Sequence, residues 1–275
     1  MTEFRPNLHD RAFRYGDGVF ATLAIRAGTL LEAEAHTAQL GEAAAAVGLE
    51  APSSVTAPES LLEILRLLGV EADTSGTVRI QLSAAPGGRG FGRPVAETRE
   101  LVEVHPAPAA RELTVAVLDD GEVPPSPLPA VKTCSALPHV LCAVAAARRG
   151  CAEALRVDRG FVLETSAANV FWVNGGELFT PAAYLPLYPG CTRSFVIEAA
   201  RALGWTVHEG AYAPSDLDAA EGMFLVNAAR GLERVSELEG RPLEWPSSLE
   251  DLRSAIEAAR DQAGLPVAST PGGGD

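Results

Sequence analysis

The chain has 275 residues and a mass of 28.7 kDa, enough for one large or two modest domains with a buried core. A hydrophobic content of 47% and a mean hydropathy of +0.10 indicate a soluble globular protein. The net charge of -14 and the pI of about 4.8 argue against a nucleic acid or an anionic membrane as the main partner, because like charges repel. Small anionic ligands stay possible, since local arginines can override the overall field.

The termini and the cysteines indicate neither export nor a metal centre. No apolar signal core follows Met1, and no run of about 18 apolar residues occurs, so we expect a cytoplasmic protein without membrane partners. The four cysteines show no C-x-x-C spacing, so neither a zinc site nor a disulfide framework is indicated. They are Cys134, Cys142, Cys151 and Cys191.

The first half of the chain contains a turn-rich entry at residues 10–20, in which Gly16 and Gly18 let the backbone pass close to a ligand or to another strand. Pro106 and Pro108 then mark a hinge. We therefore predict a small domain over 1–105, a linker over 106–111, a larger domain over 112–267 and a flexible tail over 268–275. Predicted elements of the first half are strands ending at 26 and spanning 78–84 and 101–104, and helices at 34–47 and 58–68.

The second half alternates short strands with longer helices. Ser247 and Glu250 have the spacing of a capping box for the last helix. Predicted elements are strands at 112–118 and 223–226, hairpins joining 154–157 to 161–163 and 170–173 to 178–180, and helices at 138–150, 193–203 and 247–263.

Lys132 is the only lysine, since lysine and arginine total 22 and 21 of these are arginine. Arginine has taken every other cationic position, yet a guanidinium cannot lose its proton near neutral pH or form a Schiff base with a carbonyl. The apolar residues just before Lys132 favour the neutral, reactive amine. We predict a reactive lysine; the alternative is a surface lysine kept by chance.

Three further segments have residue types that suit chemistry. Glu164 follows a strand amid small residues, although a capping glutamate is an alternative. Gly190, Cys191 and Thr192 begin a helix, where backbone N–H groups and a hydroxyl can hold a phosphate. Asn227 follows a buried strand and begins a second small-residue segment.

Together these segments resemble the fold-type IV pyridoxal-phosphate enzymes, which include branched-chain and D-amino-acid aminotransferases and aminodeoxychorismate lyase. Four motifs have the order and spacing of that family: Y-G-D-G-V-F from Tyr15, the lone Lys132, E-x-x-x-x-N-x-F from Glu164 and P-G-x-T-R from Pro189. The resemblance implies an α/β (α+β) fold with a small α/β domain and a larger domain containing a pseudo-barrel sheet. It also implies pyridoxal 5'-phosphate as cofactor and a homodimer.

The resemblance also implies roles for individual residues. Lys132 would form the Schiff base, and Glu164 would keep the pyridine nitrogen protonated so that the ring acts as an electron sink. The remaining expected site residues are Cys191, Thr192, Asn227, Ala228 and Gln39 for the cofactor, Thr22 for catalysis, and Arg89, Arg230 and Tyr15 for the substrate.

Within the family, four details are more similar to the lyase than to the aminotransferases. Residues 86–91 resemble its G-G-R-G-Y loop, and Asn227 stands where branched-chain aminotransferases have glycine. Thr22 matches a lyase threonine, and Leu137 replaces an aminotransferase tyrosine. The resemblance therefore implies conversion of 4-amino-4-deoxychorismate to 4-aminobenzoate and pyruvate.

One departure keeps two alternatives open. The family's H-x-x-R-L helix motif, whose arginine clamps the phosphate, here contains Gln39 after His36. Losing a charge-assisted contact of about 1.5 to 3 kcal/mol weakens cofactor binding without abolishing it. The alternatives to the lyase are an aminotransferase on the same fold and a degenerate, non-catalytic relative.

Overall fold

A computed structural model describes residues 9–85, 90–92 and 98–267. The predicted tail at 268–275 and the predicted substrate residue Arg89 lie outside these residues. Within the described residues the elements are, in chain order, α1 (Arg11–Tyr15), β1 (Gly18–Arg26), β2 (Thr29–Leu30), α2 (Ala33–Ala46), α3 (Ser53–Thr56), α4 (Pro58–Leu67), β3 (Gly76–Ala84), β4 (Thr98–Pro106), β5 (Thr114–Val117), α5 (Leu137–Arg148), β6 (Glu153–Leu155), β7 (Val157–Asp158), β8 (Phe161–Val162), β9 (Asn169–Asn174), β10 (Glu177–Pro181), α6 (Cys191–Ala202), β11 (Val207–Gly210), a 3-10 helix (Pro214–Ala219), β12 (Gly222–Asn227), β13 (Gly231–Arg234), β14 (Glu237–Leu238), β15 (Arg241–Pro242), α7 (Ser247–Gln262) and β16 (Leu265–Pro266).

The chain divides into two compact units. Unit 1 comprises Met1–Ala107, Val131–Ala136 and Gly264–Asp275, and unit 2 comprises Pro108–Ala130 and Leu137–Ala263. The predicted linker at 106–111 contains the first crossing between them. The sequence assigns Lys132 to the larger domain, whereas the structure groups the segment that contains it with unit 1, because this segment hydrogen-bonds to β1.

Unit 1 is built on a five-stranded sheet in the order β16-β2-β1-β3-β4, with antiparallel pairing throughout. Alternate residues of β1, from Val19 to Ile25, are buried in a core that also contains Leu40 of α2 and Leu61 and Leu65 of α4. The strand period of two leaves the intervening side chains on the opposite face. The apolar face of this sheet therefore makes the core, and its other face carries Phe20 and Thr22.

Unit 2 has one sheet in the order β11-β10-β9-β12-β13 and a second in the order β15-β14-β5-β6. Strand β9 is buried on both faces: Trp172 packs in one core with Leu155 of β6, whereas Phe171 packs in another with residues of α6 and α7. A strand buried on both faces reads as a continuous apolar run, as residues 170–173 do. The predicted mixed α/β class is confirmed.

Two predictions at helix ends need correction. The turn-rich entry is the one-turn helix α1, whose first N–H groups are capped by the Asp10 carboxylate. The capping box at Ser247 is wrong, because α7 already begins at Ser247 and its N-cap is Pro246, which makes no side-chain cap. The Glu250 carboxylate instead accepts a hydrogen bond from the Trp245 indole at 2.8 Å and pairs with Arg253.

Candidate functional site

The backbone of Lys132 is fixed to the edge of β1. The N–H of Phe20 donates to the carbonyl oxygen of Lys132 at 2.9 Å, and the N–H of Cys134 donates to Gly18 at 2.8 Å. This edge is available because β2 pairs with β1 only at Ile25 and Arg26. Long-range pairing within unit 1, and not the neighbouring sequence, therefore places the lysine.

Lys132 lies beside an aromatic ring, a hydroxyl and a guanidinium. Its Nζ is 5.7 Å from the centre of the Phe20 ring, and the Arg79 guanidinium carbon is 3.9 Å from the same centre. Thr22 lies two residues along β1 and pairs in register with Arg79 of β3. All four side chains are half-buried. Unit 1 thus brings the predicted residues Lys132 and Thr22 to one sheet face.

Arg79 is a candidate site residue that the sequence analysis missed. A signal was available, because β3 alternates between the buried Val78, Ile80 and Leu82 and the half-buried Arg79 and Gln81. Polar residues at alternate positions of an otherwise buried strand indicate a second face with its own contacts. That face is the one on which Lys132 lies.

The glycines of the Y-G-D-G motif make room for the lysine segment. Gly16 has a φ of +67°, and a Cβ there would lie 2.2 Å from the Ser135 hydroxyl. A Cβ on Gly18 would lie 2.5 Å from the Leu82 carbonyl oxygen and 3.2 Å from the Cys134 sulfur. Of the two alternatives predicted for these glycines, the structure shows the close approach of other backbone segments.

Tyr15 contacts Gly90 and Phe91, which follow the predicted residue Arg89 in the sequence. Its hydroxyl accepts a hydrogen bond from the Gly90 N–H at 3.4 Å, and its ring lies edge-on to Phe91 with the centres 5.7 Å apart. The buried Arg11 guanidinium donates to the three carbonyl oxygens of residues 90 to 92. The predicted substrate role of Tyr15 stays a prediction.

Glu164 is a buried carboxylate of unit 2 and lies between β8 and β9, not at a helix terminus. Only 4% of the residue is exposed. Its Oε1 accepts a hydrogen bond from Arg156 at 2.8 Å, and its Oε2 accepts one from the backbone N–H of Tyr188 at 3.1 Å. Because one of these partners is a backbone N–H, the capping alternative stays open beside the predicted role of Glu164.

Asn169, the asparagine of the E-x-x-x-x-N motif, hydrogen-bonds to the segment that leads into α6, at the Tyr188 backbone that Glu164 also contacts. Its Nδ2 donates to the Tyr188 carbonyl at 2.8 Å, and its Oδ1 accepts from the Gly190 N–H at 3.3 Å. A Cβ on Gly190 would lie 2.8 Å from that Oδ1. The spacing in the motif thus sets Glu164 and the start of α6 in a fixed relationship.

Helix α6 begins at Cys191 with Gly190 as its N-cap, which has no side chain to cap the helix. Cys191 and Thr192 are buried in its first turn, where N–H groups and the helix dipole favour an anion. Arg193 points elsewhere: it donates to the Pro181 carbonyl at 2.7 Å and pairs with Glu209 at 2.9 Å. Burial raises the pKa of Glu209, but its hydrogen bonds and charge interactions with Arg193 and Arg201 together outweigh burial and lower the pKa.

The segment after β12 forms a closed turn. The Asn227 carboxamide oxygen accepts a hydrogen bond from the Arg230 N–H at 2.9 Å, and Ala228 between them is half-buried. The Arg230 guanidinium donates to the Ala109 carbonyl at 2.8 Å and to Glu233 at 3.2 Å. Both contacts use Nη1, and the predicted role of Arg230 in holding a substrate carboxylate stays a prediction.

Gln39 lies half-buried on α2 in unit 1, three residues after the buried His36. The Nε2 of His36 is 3.4 Å from the carboxylate of Glu32. The predicted phosphate contact of Gln39 stays a prediction, and so do the phosphate contacts of Cys191 and Thr192, which belong to unit 2.

All four cysteines are free thiols. Across residues 9–85, 90–92 and 98–267, no group of three or more His, Cys, Asp or Glu side chains is arranged to hold a metal ion. None of the helices in the same residues has the length and apolar character that a membrane span requires.

The donor set fits pyridoxal phosphate. The group needs an amine, an acceptor for a protonated ring nitrogen and an anion site for its phosphate. Lys132 in unit 1 would supply the amine. In unit 2, Glu164 would supply a buried carboxylate, which is joined through Tyr188 and Asn169 to the start of α6, where Gly190 provides no side-chain cap. An amine, a buried carboxylate and a helix start for the phosphate are thus present, although Gln39 replaces the phosphate-clamping arginine of the family.

The chain belongs to the class IV aminotransferase family, because the Amino-transferase class IV family model matches residues 18–238. It is therefore a pyridoxal-phosphate-dependent enzyme, and the predicted resemblance to the fold-type IV enzymes is confirmed.

Three individual proteins support this assignment. The chain is 29% identical over 280 residues to the bifunctional aminodeoxychorismate lyase / D-amino acid transaminase of Mycobacterium tuberculosis, covering 92% of this chain and 93% of that protein. It is 29% identical over 247 residues to a putative branched-chain-amino-acid aminotransferase of Methanocaldococcus jannaschii, covering 86% and 83%. The PLP-bound structure of a hypothetical aminotransferase from M. tuberculosis superimposes with a TM-score of 0.82 at 26% identity over 95% of each chain.

Proposed function

We propose that the protein is a lyase that converts 4-amino-4-deoxychorismate to 4-aminobenzoate and pyruvate in the cytoplasm, for folate or a specialised aminobenzoate pathway. The observation that supports this proposal is the polar face beside Lys132. Thr22 and the guanidinium of Arg79 lie on that face. A substrate with two carboxylates suits a cationic face better than a branched aliphatic side chain does, because the latter requires an apolar wall.

The residues of the chain divide the chemistry among them. Lys132 holds the cofactor, yields it to the substrate amine, and as a neutral amine takes the proton from the carbon that bears the substrate nitrogen. Thr22 and Arg79 orient the substrate, Thr192 and the first N–H groups of α6 hold the phosphate, and Glu164 keeps the ring nitrogen protonated. When bound, pyridoxal phosphate supplies an electron sink for the bond that breaks.

The overall reaction is balanced without an oxidant, a reductant or a second substrate. The ring loses one proton from the carbon that bears nitrogen and expels the enolpyruvyl oxygen, and the ring becomes aromatic. The released enolpyruvate takes up a proton at its methylene carbon to give pyruvate. The lysine amine is the group of this chain that can accept the first proton.

Transamination of a D-amino acid is a second candidate activity. The M. tuberculosis relative, whose name combines the lyase and D-amino acid transaminase activities, supports it. An aminotransferase leaves the cofactor as its amine when the enzyme meets an amino acid alone, whereas a lyase does not. The two activities can therefore be measured separately on one preparation.

The experiment supplies 4-amino-4-deoxychorismate to the cofactor-loaded protein and measures 4-aminobenzoate by chromatography and pyruvate by a coupled assay. We expect the two products in equal amounts. Thr22→Val and Arg79→Met should each lower kcat/KM by at least tenfold, whereas Arg148→Met, at the exposed end of α5, removes the same charge without this loss. Conversion of the cofactor to its amine by D-alanine, with no 4-aminobenzoate formed, would contradict the lyase proposal.

We also propose that the protein is a homodimer in which a second copy covers the outer face of α5. Leu137, Val140, Leu141 and Val144 of this helix are exposed at helical spacing, whereas the opposite face packs into the core of unit 2. An exposed apolar stripe of this kind marks an interaction surface. Sedimentation should show a dimer for the wild type and a monomer for Val140→Glu.

A further inference from the structure

Arg156 is a buried arginine with one charged partner. It lies between β6 and β7, and only 2% of the residue is exposed. Its Nη2 donates to Oε1 of Glu164 at 2.8 Å. Two backbone hydrogen bonds of 2.9 Å bring the two residues together, since the Arg156 N–H donates to Glu164 and the Leu163 N–H donates to Arg156.

The other two guanidinium nitrogens of Arg156 are buried without a hydrogen-bond partner among the described residues. Within the residues that the structure describes, neither Nε nor Nη1 of Arg156 has a hydrogen-bond partner, although both atoms are buried. Burying a guanidinium with one hydrogen-bonded nitrogen is unfavourable, and well-packed apolar residues can replace buried ion pairs without loss of stability. Stability alone therefore gives a weak reason for an arginine here.

We propose that Arg156 is a positioning residue that keeps Glu164 ionised and fixes the orientation of its carboxylate, so that the site for the cofactor ring nitrogen is negative before the cofactor binds. The inference rests on the proposed role of Glu164 at that nitrogen. A carboxylate buried to this extent without a cation takes up a proton, because burial disfavours the charged form. A neutral carboxyl group then offers a weaker hydrogen bond to the ring.

The other titratable groups around the pair restrict the interpretation of a pH experiment. Burial raises the pKa of Cys142 on α5 to about 12 and raises the pKa of Tyr188 before α6 above its ordinary value. Both groups therefore stay neutral from pH 5 to 9. Glu153 on β6 is the other buried carboxylate nearby, and it pairs with Arg111 at 3.2 Å and accepts from Ser166 at 2.7 Å. Arg111→Met is thus a matched control.

The first measurement is the unfolding free energy of the cofactor-free protein from pH 5 to 9. In Arg156→Met the folded protein holds a proton on Glu164 that the unfolded chain releases near pH 4.3, roughly the free value of a glutamate. The extra stability of the protonated form is present below that pH and is lost as the pH rises through the folded value. We expect this decline in Arg156→Met and its absence in Arg156→Met/Glu164→Gln.

The second measurement compares the dissociation constants of pyridoxal phosphate and of an analogue with carbon in place of the ring nitrogen. The wild type should prefer the natural cofactor. Arg156→Met should reduce that preference roughly tenfold at neutral pH, since a charge-assisted hydrogen bond becomes a neutral one. Arg111→Met should leave the preference unchanged. Arg156→Lys, which keeps a cation beside Glu164, should retain most of it.

The outcomes separate this inference from the proposals on which it rests. A stability loss in Arg156→Met that is the same at every pH, or an unchanged preference between the two cofactors, overturns the role of Arg156. Arg156→Lys behaving like Arg156→Met overturns it also, because charge is then not the cause. If Glu164→Gln alone leaves the preference unchanged, the role of Glu164 fails and the inference fails with it. The lyase proposal stands or falls separately, on its products.

Discussion

The backbone N–H of Phe20 donates a hydrogen bond of 2.9 Å to the carbonyl oxygen of Lys132, although 112 positions separate the two residues in the chain. The lysine segment pairs with the part of β1 that β2 leaves open. Phe20 also places its ring 5.7 Å from the lysine Nζ. One aromatic residue thus holds the lysine backbone and forms part of the surroundings of its amine.

Lys132→Ala should abolish both turnover and covalent attachment of the cofactor, because no other ε-amine exists in the chain. Lys132→Arg keeps the positive charge and should be equally inactive, which separates loss of the amine from loss of charge. Borohydride reduction of the loaded wild type, followed by peptide mass analysis, checks the attachment. Reduced cofactor on a peptide without Lys132 would contradict the assignment.

Gly16→Ala should destabilise unit 1 by about 2 to 4 kcal/mol, because it combines a strained φ with a steric clash. The φ is +67°, and the added Cβ would lie 2.2 Å from the Ser135 hydroxyl. Gly69→Ala is the matched control: φ is +83° there, and no atom lies within 4 Å of the added Cβ. It should lose only about 1 kcal/mol by the strain alone. Chemical denaturation measures the unfolding free energy of both variants. Equal losses of stability would show that the clash with Ser135 contributes nothing to the destabilisation.

Glu164→Gln should leave the cofactor bound but lower kcat by at least tenfold, since a neutral amide cannot stabilise a protonated pyridine nitrogen. The substitution also leaves the Arg156 guanidinium without its carboxylate and should reduce stability by about 3 kcal/mol or more. Glu153→Gln, at the other buried glutamate of this unit, should reduce stability without slowing the reaction. The measurement is the rate at saturating substrate. An unchanged kcat for Glu164→Gln would show that Glu164 does not take part in the chemical step.

Gln39→Arg tests the residue at which this chain departs from its family. If Gln39 faces the phosphate, a guanidinium there should tighten cofactor binding by about 1 to 3 kcal/mol, as one charge-assisted hydrogen bond does. The gain should shrink with added salt if water reaches the phosphate, and persist if the pocket is dry. Equilibrium titration at two salt concentrations measures it. No change in affinity would place Gln39 away from the cofactor.

Cys134, two residues after the lysine, should be a poor nucleophile at neutral pH. Burial raises the pKa of its thiol to about 11, with Arg79 acting in the opposite direction. Because the thiolate is the reactive form, the alkylation rate of Cys134 should rise roughly tenfold per pH unit between pH 7 and 10. Mass spectrometry after timed iodoacetamide treatment follows each cysteine, and the fully buried Cys142 serves as the slow control. Rapid alkylation of Cys134 at pH 7 would contradict the raised pKa.

Local patterns in the sequence predict most of the helices and strands. Pro58 and Gly69 mark the two ends of α4, and the apolar run at 170–173 marks the buried strand β9. These predictions succeed because capping, periodicity and turn chemistry depend on residues a few positions apart. Ser247 shows the limit of such patterns, since a shift of one residue in the helix start removes the capping geometry.

The sequence by itself singled out Lys132 as the predicted reactive lysine, because a residue type used once in a chain is visible without coordinates. It also determined the family through the spacing of four motifs. Only the tertiary structure assigned Lys132 to unit 1, revealed Arg79 beside Phe20 and Arg156 against Glu164, and showed Nη1 of Arg230 donating to Ala109 and Glu233. The physical reason is that the energy and the role of a buried charge depend on its partner. Strand register and the path of the chain bring that partner close from far away in the sequence, so no local pattern predicts it.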